Sequence, residues 1–258
     1  MNKKEEIKVL IGCPTFGIDP DPRRWLNSLM TTVNDLHRSG ARTSFCFPYR
    51  HRIHEADNQI IKTALMNGFT HILRMDDDIW GVQKGDVLKL LEADKEFISA
   101  IMYISGFPYA KCAVRRKPGV KLTLPEIEKE EGDFYDEVSG EGVQPVDLTA
   151  TPFTLWKTSL FQKIRYPFFD PAIAGSPDGV FCQKCLDAKI QPFVHMDIQL
   201  NHREVTPWNR LYLYNSEIRR MLFLKQVDPT KPGYKELVEE FGEDGQKDMM
   251  MLKGRMVK

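Results

Sequence analysis

Three consecutive aspartates, Asp76, Asp77 and Asp78, close an apolar run in HILRMDDDIWG, residues 71–81. Neighbouring like charges repel and destabilise a compact chain unless something takes up the charge. Clustered carboxylate oxygens suit a hard divalent cation, Mg²⁺ or Mn²⁺. Such a cation can offset the charge of a diphosphate and make it a better leaving group. If the aspartates end a strand, Asp76 and Asp78 share one face and Asp77 takes the other. The alternative is a solvated acidic turn, a common setting for short aspartate runs.

Position favours the first reading, because the elements around the triplet alternate. IKVLIGCP (7–14) has the apolar content of a buried strand, and 21–38 carries Trp25, Leu29, Val33 and Leu36 at helical spacing. ARTSFCFPY (41–49) predicts a second strand, Ala56 to Leu65 a second helix, and FTHILRMD (69–76) a third strand. Residues 85–94 predict a helix and EFISAIMY (96–103) a fourth strand. This order implies βαβ units, hence an α/β fold with a mostly parallel sheet flanked by helices. Ligands of such sheets gather beyond the carboxyl ends of the strands, where the triplet lies. The acidic stretch 121–145 predicts an exposed excursion, VDLTATPFTLW (146–156) a strand, and residues up to about 164 a short helix. SPDGVFCQKCLDAK (176–189) has a helix start, with Ser176 as N-cap and Pro177 first in the helix, and IQPFVHMD (190–197) predicts a last strand.

ADNQIIKTALMNGFTHILRMDDDIW (56–80) resembles the central segment of GT-A-fold nucleotide-sugar glycosyltransferases, closest in style to the inverting family 2. The resemblance runs over about residues 7–205 and implies a single GT-A-like, Rossmann-like domain. Asp76, Asp77 and Asp78 match its DxD motif, and Asn58 matches an asparagine opening the preceding helix. Asp57 stands where the family often has arginine. IGCPTFG resembles the first strand, whose end meets the nucleotide base, which points to Pro14 and Thr15. SPDGVFCQKC resembles the segment carrying the catalytic base, which falls on Asp178, although Pro177 replaces the usual glutamate. A carboxylate in the first turn of a helix is also favoured in its ionised form by the helix dipole. DIQLNHREV resembles the late strand end whose histidine ligates the metal or contacts the diphosphate, which falls on His202.

The resemblance therefore implies transfer of a sugar from a nucleotide-diphosphate donor to a carbohydrate or other hydroxyl acceptor, with inversion. Asp178 would be the base, and Asp76, Asp78 and His202 would hold Mn²⁺ or Mg²⁺. Pro14, Thr15, Asn58, Asp76 and Asp77 would meet the donor. A sugar-phosphate nucleotidyltransferase and a catalytically silent binding protein of the same architecture stay open as alternatives.

Other patterns have blander readings. Cys182 and Cys185 with His195 and His202 offer zinc-type ligands, but the histidine spacing is not that of a finger and buried thiols explain it. CAVRRKPG (112–119) could bind phosphate or be a solvated loop, and Trp80 could shape a sugar pocket or cover the core. The amphipathic stretch RLYLYNSEIRRMLFLK (210–225) leaves peripheral membrane contact open beside packing on the domain.

Composition excludes several classes. With 36 basic and 36 acidic residues the net charge is zero, which argues against nucleic acid as the main partner. No apolar run approaches the roughly 20 residues of a membrane span. Five cysteines in 258 residues are too sparse for a disulfide scaffold, so a cytoplasmic protein with reduced thiols is expected. The expected organisation is a catalytic domain over 1–205 and a helical extension over 206–258.

Overall fold

Strand, helix and strand alternate through the first hundred residues, and each helix has an apolar face that must cover the sheet. The computed structural model describes residues 6–15, 22–49, 51–103, 111–118, 135–170 and 177–202. Strands β1 (Lys8–Gly12), β2 (Arg42–Cys46) and β3 (His71–Met75) pair in parallel, linked by helices α1 (Pro22–Arg38) and α2 (Ile53–Met66). A two-residue strand β4 (Ile79–Trp80) and helix α3 (Asp86–Glu92) lead into β5 (Phe97–Ile101). Then come β6 (Ala113–Arg116), β7 (Tyr135–Glu137), β8 (Val143–Pro145), β9 (Leu148–Thr149) and β10 (Phe153–Lys157). A 3-10 turn (Thr158–Gln162), helix α4 (Pro177–Asp187), β11 (Phe193–Gln199) and β12 (Asn201–His202) complete the described chain.

Seven strands form the central sheet in the order β2-β1-β3-β10-β5-β11-β8. Five run parallel, while β10 and β8 run against their neighbours. The fold is thus the expected α/β class. Strand alternation divides the core into two layers. Val9, Ile11, Leu73 and Met75 pack against α1 and α3 through Leu29, Val33, Leu36, Val87 and Leu90. Leu10 and Ile72 face the other way, toward α2, the 3-10 turn and α4. There Trp156, Phe161, Phe169 and Phe181 form an aromatic cluster, with Phe169 and Phe181 stacked 4.3 Å apart.

Three expectations need correction. The strand foreseen over 146–156 is two strands: β9 pairs with β6 and β10 joins the main sheet. Pro152 lies in the break, where a residue without an N–H cannot continue a ladder. The excursion foreseen at 121–145 contributes β7 and β8, and β8 closes one edge of the main sheet. The basic stretch read as a loop contains β6, the centre of a three-stranded sheet β7-β6-β9. Ser176 and the extension foreseen at 206–258 lie outside the described residues. Among the described residues, no helix is long and apolar enough to cross a membrane.

Candidate functional site

The carboxyl ends of β1 and β3 and the start of β10 share one rim of the sheet. β3 ends at Met75, and the Asp76 amide then donates to the Pro152 carbonyl at 2.8 Å. Asp76, Asp77 and Asp78 therefore lie in a turn, so the face-alternation argument does not apply to them. All three sit close enough to the end of β1 to act on Cys13, whose thiol is pushed up by burial first and by these carboxylates next. Pro14 is buried at this rim, and Thr15 is half-buried with its amide donating to the Pro48 carbonyl at 3.0 Å.

Period two places Arg74 on the same face as Ile72, the face covered by α2. The guanidinium is 3% exposed and meets Asp57 of α2, itself 1% exposed, through an Nε to Oδ1 contact of 2.7 Å. One Nη1 reaches Asp76 Oδ1 at 2.8 Å and donates to the Thr151 carbonyl, also at 2.8 Å. Asp57 thus has a structural reason to replace arginine: Arg74 brings the cation from the strand, and Asp57 is its counter-ion. Burial pushes the Asp57 carboxyl up, and Arg74 opposes that shift. Asp76 is likewise pushed up by burial, with Arg74 acting against it and Asp78 and Asp178 adding to it. The carboxylates around Arg74 hold its guanidinium protonated despite burial.

Asp178 enters the same cluster from 102 residues downstream of Asp76, as the second residue of α4. The Thr151 hydroxyl donates to Asp178 Oδ1 at 2.6 Å. Residues 151–152 therefore join Arg74, Asp76 and Asp178. Sequence reasoning missed Arg74 and Thr151. The only signal for Arg74 was a charge inside an apolar strand, and Thr151 gave none.

Past the triplet, β4 and β12 form a short antiparallel ribbon in which His202 faces Ile79 and Asn201 faces Trp80. The ribbon brings His202 Nε2 within 3.3 Å of Asp78 Oδ2. Gly81 ends β4 at φ +93, and a Cβ there would lie 2.3 Å from Asn201 Nδ2, so this approach needs glycine. Its amide donates to Ser28 Oγ of α1 at 3.0 Å, which fixes the ribbon on the helix.

Among the described residues, no three His, Cys, Asp or Glu side chains gather as a metal-binding group. Of the expected ligand trio, Asp76 has one oxygen on Arg74, while Asp78 and His202 stand 3.3 Å apart. A hard cation that completes its shell with phosphates and water needs only one or two protein groups. The pair fits that demand. His202 Nδ1 is buried without a hydrogen-bond partner among the described residues, so no acceptor there holds the Nδ1–H tautomer that leaves the Nε2 lone pair for a cation.

Asn58 is a correction of another kind. Its Nδ2 donates to the His54 and Phe169 carbonyls, and its Oδ1 accepts from the Phe168 and Phe169 amides. All four hydrogen-bonding positions are occupied, so Asn58 clamps the 168–169 segment and has none left for a nucleotide. Burial raises the Cys182 and Cys185 thiols, as expected of packed cysteines. In the basic stretch, Arg115 donates to the Pro145 carbonyl and Arg116 binds Gln183. Trp80 carries the Arg24 guanidinium 4.5 Å above its ring. Two cavities among the described residues, about 570 and 460 Å³, are both lined by Tyr166 and include none of the rim residues named above.

No family model matches the chain, and no curated protein does either. Solved structures with a similar course include A197 from STIV, at 15% identity over 76% of this chain and 85% of that one, with a TM-score of 0.49. A mutant of Drosophila β1,4-galactosyltransferase 7 in complex with manganese, UDP-Gal and xylobiose aligns at 14% identity over 78% and 69%, with a TM-score of 0.40. UDP-glucose pyrophosphorylase complexed with UDP-glucose aligns at 8% identity over 83% and 99%, with a TM-score of 0.44. Likeness this distant carries nothing about chemistry, which has to come from the rim itself.

Proposed function

We propose that this chain is a divalent-cation-dependent glycosyltransferase, moving a sugar from a nucleotide-diphosphate donor to an acceptor hydroxyl with inversion. The domain would be GT-A-like over 1–205, with 206–258 as a helical extension. One observation supports the reading above the others: Asp76, Asp78, Asp178 and His202, from three separate stretches of sequence, meet at one rim. Asp78 and His202 would hold Mn²⁺ or Mg²⁺, whose charge would offset that of the departing diphosphate. Asp76, oriented by Arg74 through one oxygen, would offer the other to donor hydroxyls, and Pro14, Thr15 and Asp77 would border the donor. Asp178 would take the proton of the acceptor hydroxyl as its oxygen bonds the anomeric carbon and the bond to the diphosphate breaks. Direct displacement of this kind inverts the anomeric centre.

The test is thermal melting with Mn²⁺ and a panel of nucleoside diphosphates, followed by product analysis with the matching sugar nucleotide. One nucleotide should raise the melting temperature, and that rise should vanish in Asp78→Ala. Release of nucleoside diphosphate supports sugar transfer. Release of pyrophosphate instead makes the chain a nucleotidyltransferase, and binding without turnover makes it a silent binding protein. Asp178→Asn should lower turnover by about 10²- to 10⁴-fold with the melting response intact.

A further inference from the structure

We infer that Thr151 is a positioning residue for the reaction, selecting which oxygen of Asp178 is left to receive the acceptor proton; this rests on reading Asp178 as the base. Thr151 lies fully buried in the break between β9 and β10. Its hydroxyl has one proton, given to Asp178 Oδ1 at 2.6 Å. Oδ2 has no hydrogen bond among the described residues, so the anchored carboxylate presents that oxygen alone. A carboxylate in the first turn of a helix otherwise turns freely about its last two torsions. Anchoring one oxygen removes that freedom before substrate arrives, which is worth most when the other oxygen must meet a hydroxyl at hydrogen-bond distance.

The anchor is itself held on two sides. Arg74 Nη1 donates to the Thr151 carbonyl at 2.8 Å, and the neighbouring Pro152 carbonyl accepts from the Asp76 amide at 2.8 Å. A movement of Thr151 would therefore disturb the donor side and the base together. A purely architectural role, tying α4 to the sheet, is already served elsewhere. Phe181, Cys182 and Cys185 of α4 are buried in the aromatic layer, and Cys182 Sγ meets the Thr149 carbonyl at 3.5 Å. The helix would keep its place without the hydroxyl, but the carboxylate would lose its orientation.

The experiment compares Thr151→Val, Thr151→Ser and Asp178→Asn with the unaltered chain. It uses Mn²⁺, the sugar nucleotide found above, and steady-state release of nucleoside diphosphate. Thr151→Val should lower kcat by about 10- to 100-fold, with the donor KM within about twofold and the fold intact by melting. Thr151→Ser, which keeps the donor, should restore kcat to within about threefold. If Thr151→Val does not fold, Thr151→Ala is read in its place. Wild-type kcat in the folded hydroxyl-free variant, with Asp178→Asn inactive, overturns the inference and leaves the base standing. Full activity in Asp178→Asn, or no turnover of any sugar nucleotide by the unaltered chain, removes the base and the inference with it.

Discussion

Two groups of charge lie within a few residues of each other and are handled in opposite ways. On the α2 side, Arg74 and Asp57 are almost wholly enclosed, and the guanidinium answers Asp57, Asp76 and the Thr151 carbonyl together. On the ribbon side, Asp78 and His202 are partly exposed, and the imidazole is charged only if protonated. In the first arrangement the buried Asp57 has its counter-ion within the protein. The second has a negative group beside a base that can be neutral, which leaves room for an exchangeable cation. The triplet thus has two settings: Asp76 is held through one oxygen by Arg74, and Asp78 stands beside His202 at the proposed cation site.

The sharpest way to break the contrast is Arg74→Met, which leaves Asp57 buried without its counter-ion. We expect a loss of about 3–5 kcal/mol by denaturant unfolding, partly recovered when Asp57→Asn is added. A loss below about 1 kcal/mol would mean that Arg74 is no more than a surface-type pair. Gly81→Ala comes next. The clash with Asn201 and the positive φ should cost about 1–3 kcal/mol and should abolish the Mn²⁺-dependent rise in melting temperature by displacing His202. His202→Ala should change metal-free stability by less than about 1 kcal/mol while removing the same response. If it destabilises as much as Arg74→Met, the ribbon is architecture too.

The smallest effect comes from another histidine. His195 on β11 also has a buried Nδ1 without a hydrogen-bond partner among the described residues, with Asp197 Oδ2 3.8 Å away. Burial lowers its pKa, with Asp197 and Asp86 opposing and Lys89 assisting. The folded state therefore binds this proton less readily than the unfolded chain. The stability His195 contributes is present above the unfolded value and is lost as pH falls through the folded one. Melting curves between about pH 7 and pH 5 should fall less steeply in His195→Gln than in the unaltered chain. An equal fall would show that His195 is not responsible.

The sheet was legible because its strands are short apolar runs and its helices carry stripes of the right period. The triplet was legible as charges at a strand end, and Asp178 through the resemblance of SPDGVFCQKC. What period could not reveal was pairing across the fold. Asn58 matched a motif position, yet its amide is consumed by a segment 110 residues away. Arg74 appeared only as a charge in an apolar strand, because its meaning depends on Asp57 facing it. Thr151 was invisible, since a threonine between two strands signals nothing until a helix start docks beside it. The split of 146–156 was hinted at by Pro152, but a proline breaks a ladder without saying which sheets its two halves join.

The reversed direction of β10 shapes what can change in this molecule. Residue 102 leaves β5, and residue 152 leads into β10, at the same rim, so the intervening chain starts and finishes beside the candidate site and gives β8 to the sheet on the way. Two backbone bonds, Cys112 to Met102 and Ala150 to Cys112, fasten its two ends. A length change between those fasteners would have to keep β8 in register with β11, because that strand belongs to the main sheet. Drift in this stretch is therefore tied to the edge strand β8, while both its ends stay fastened beside the candidate site.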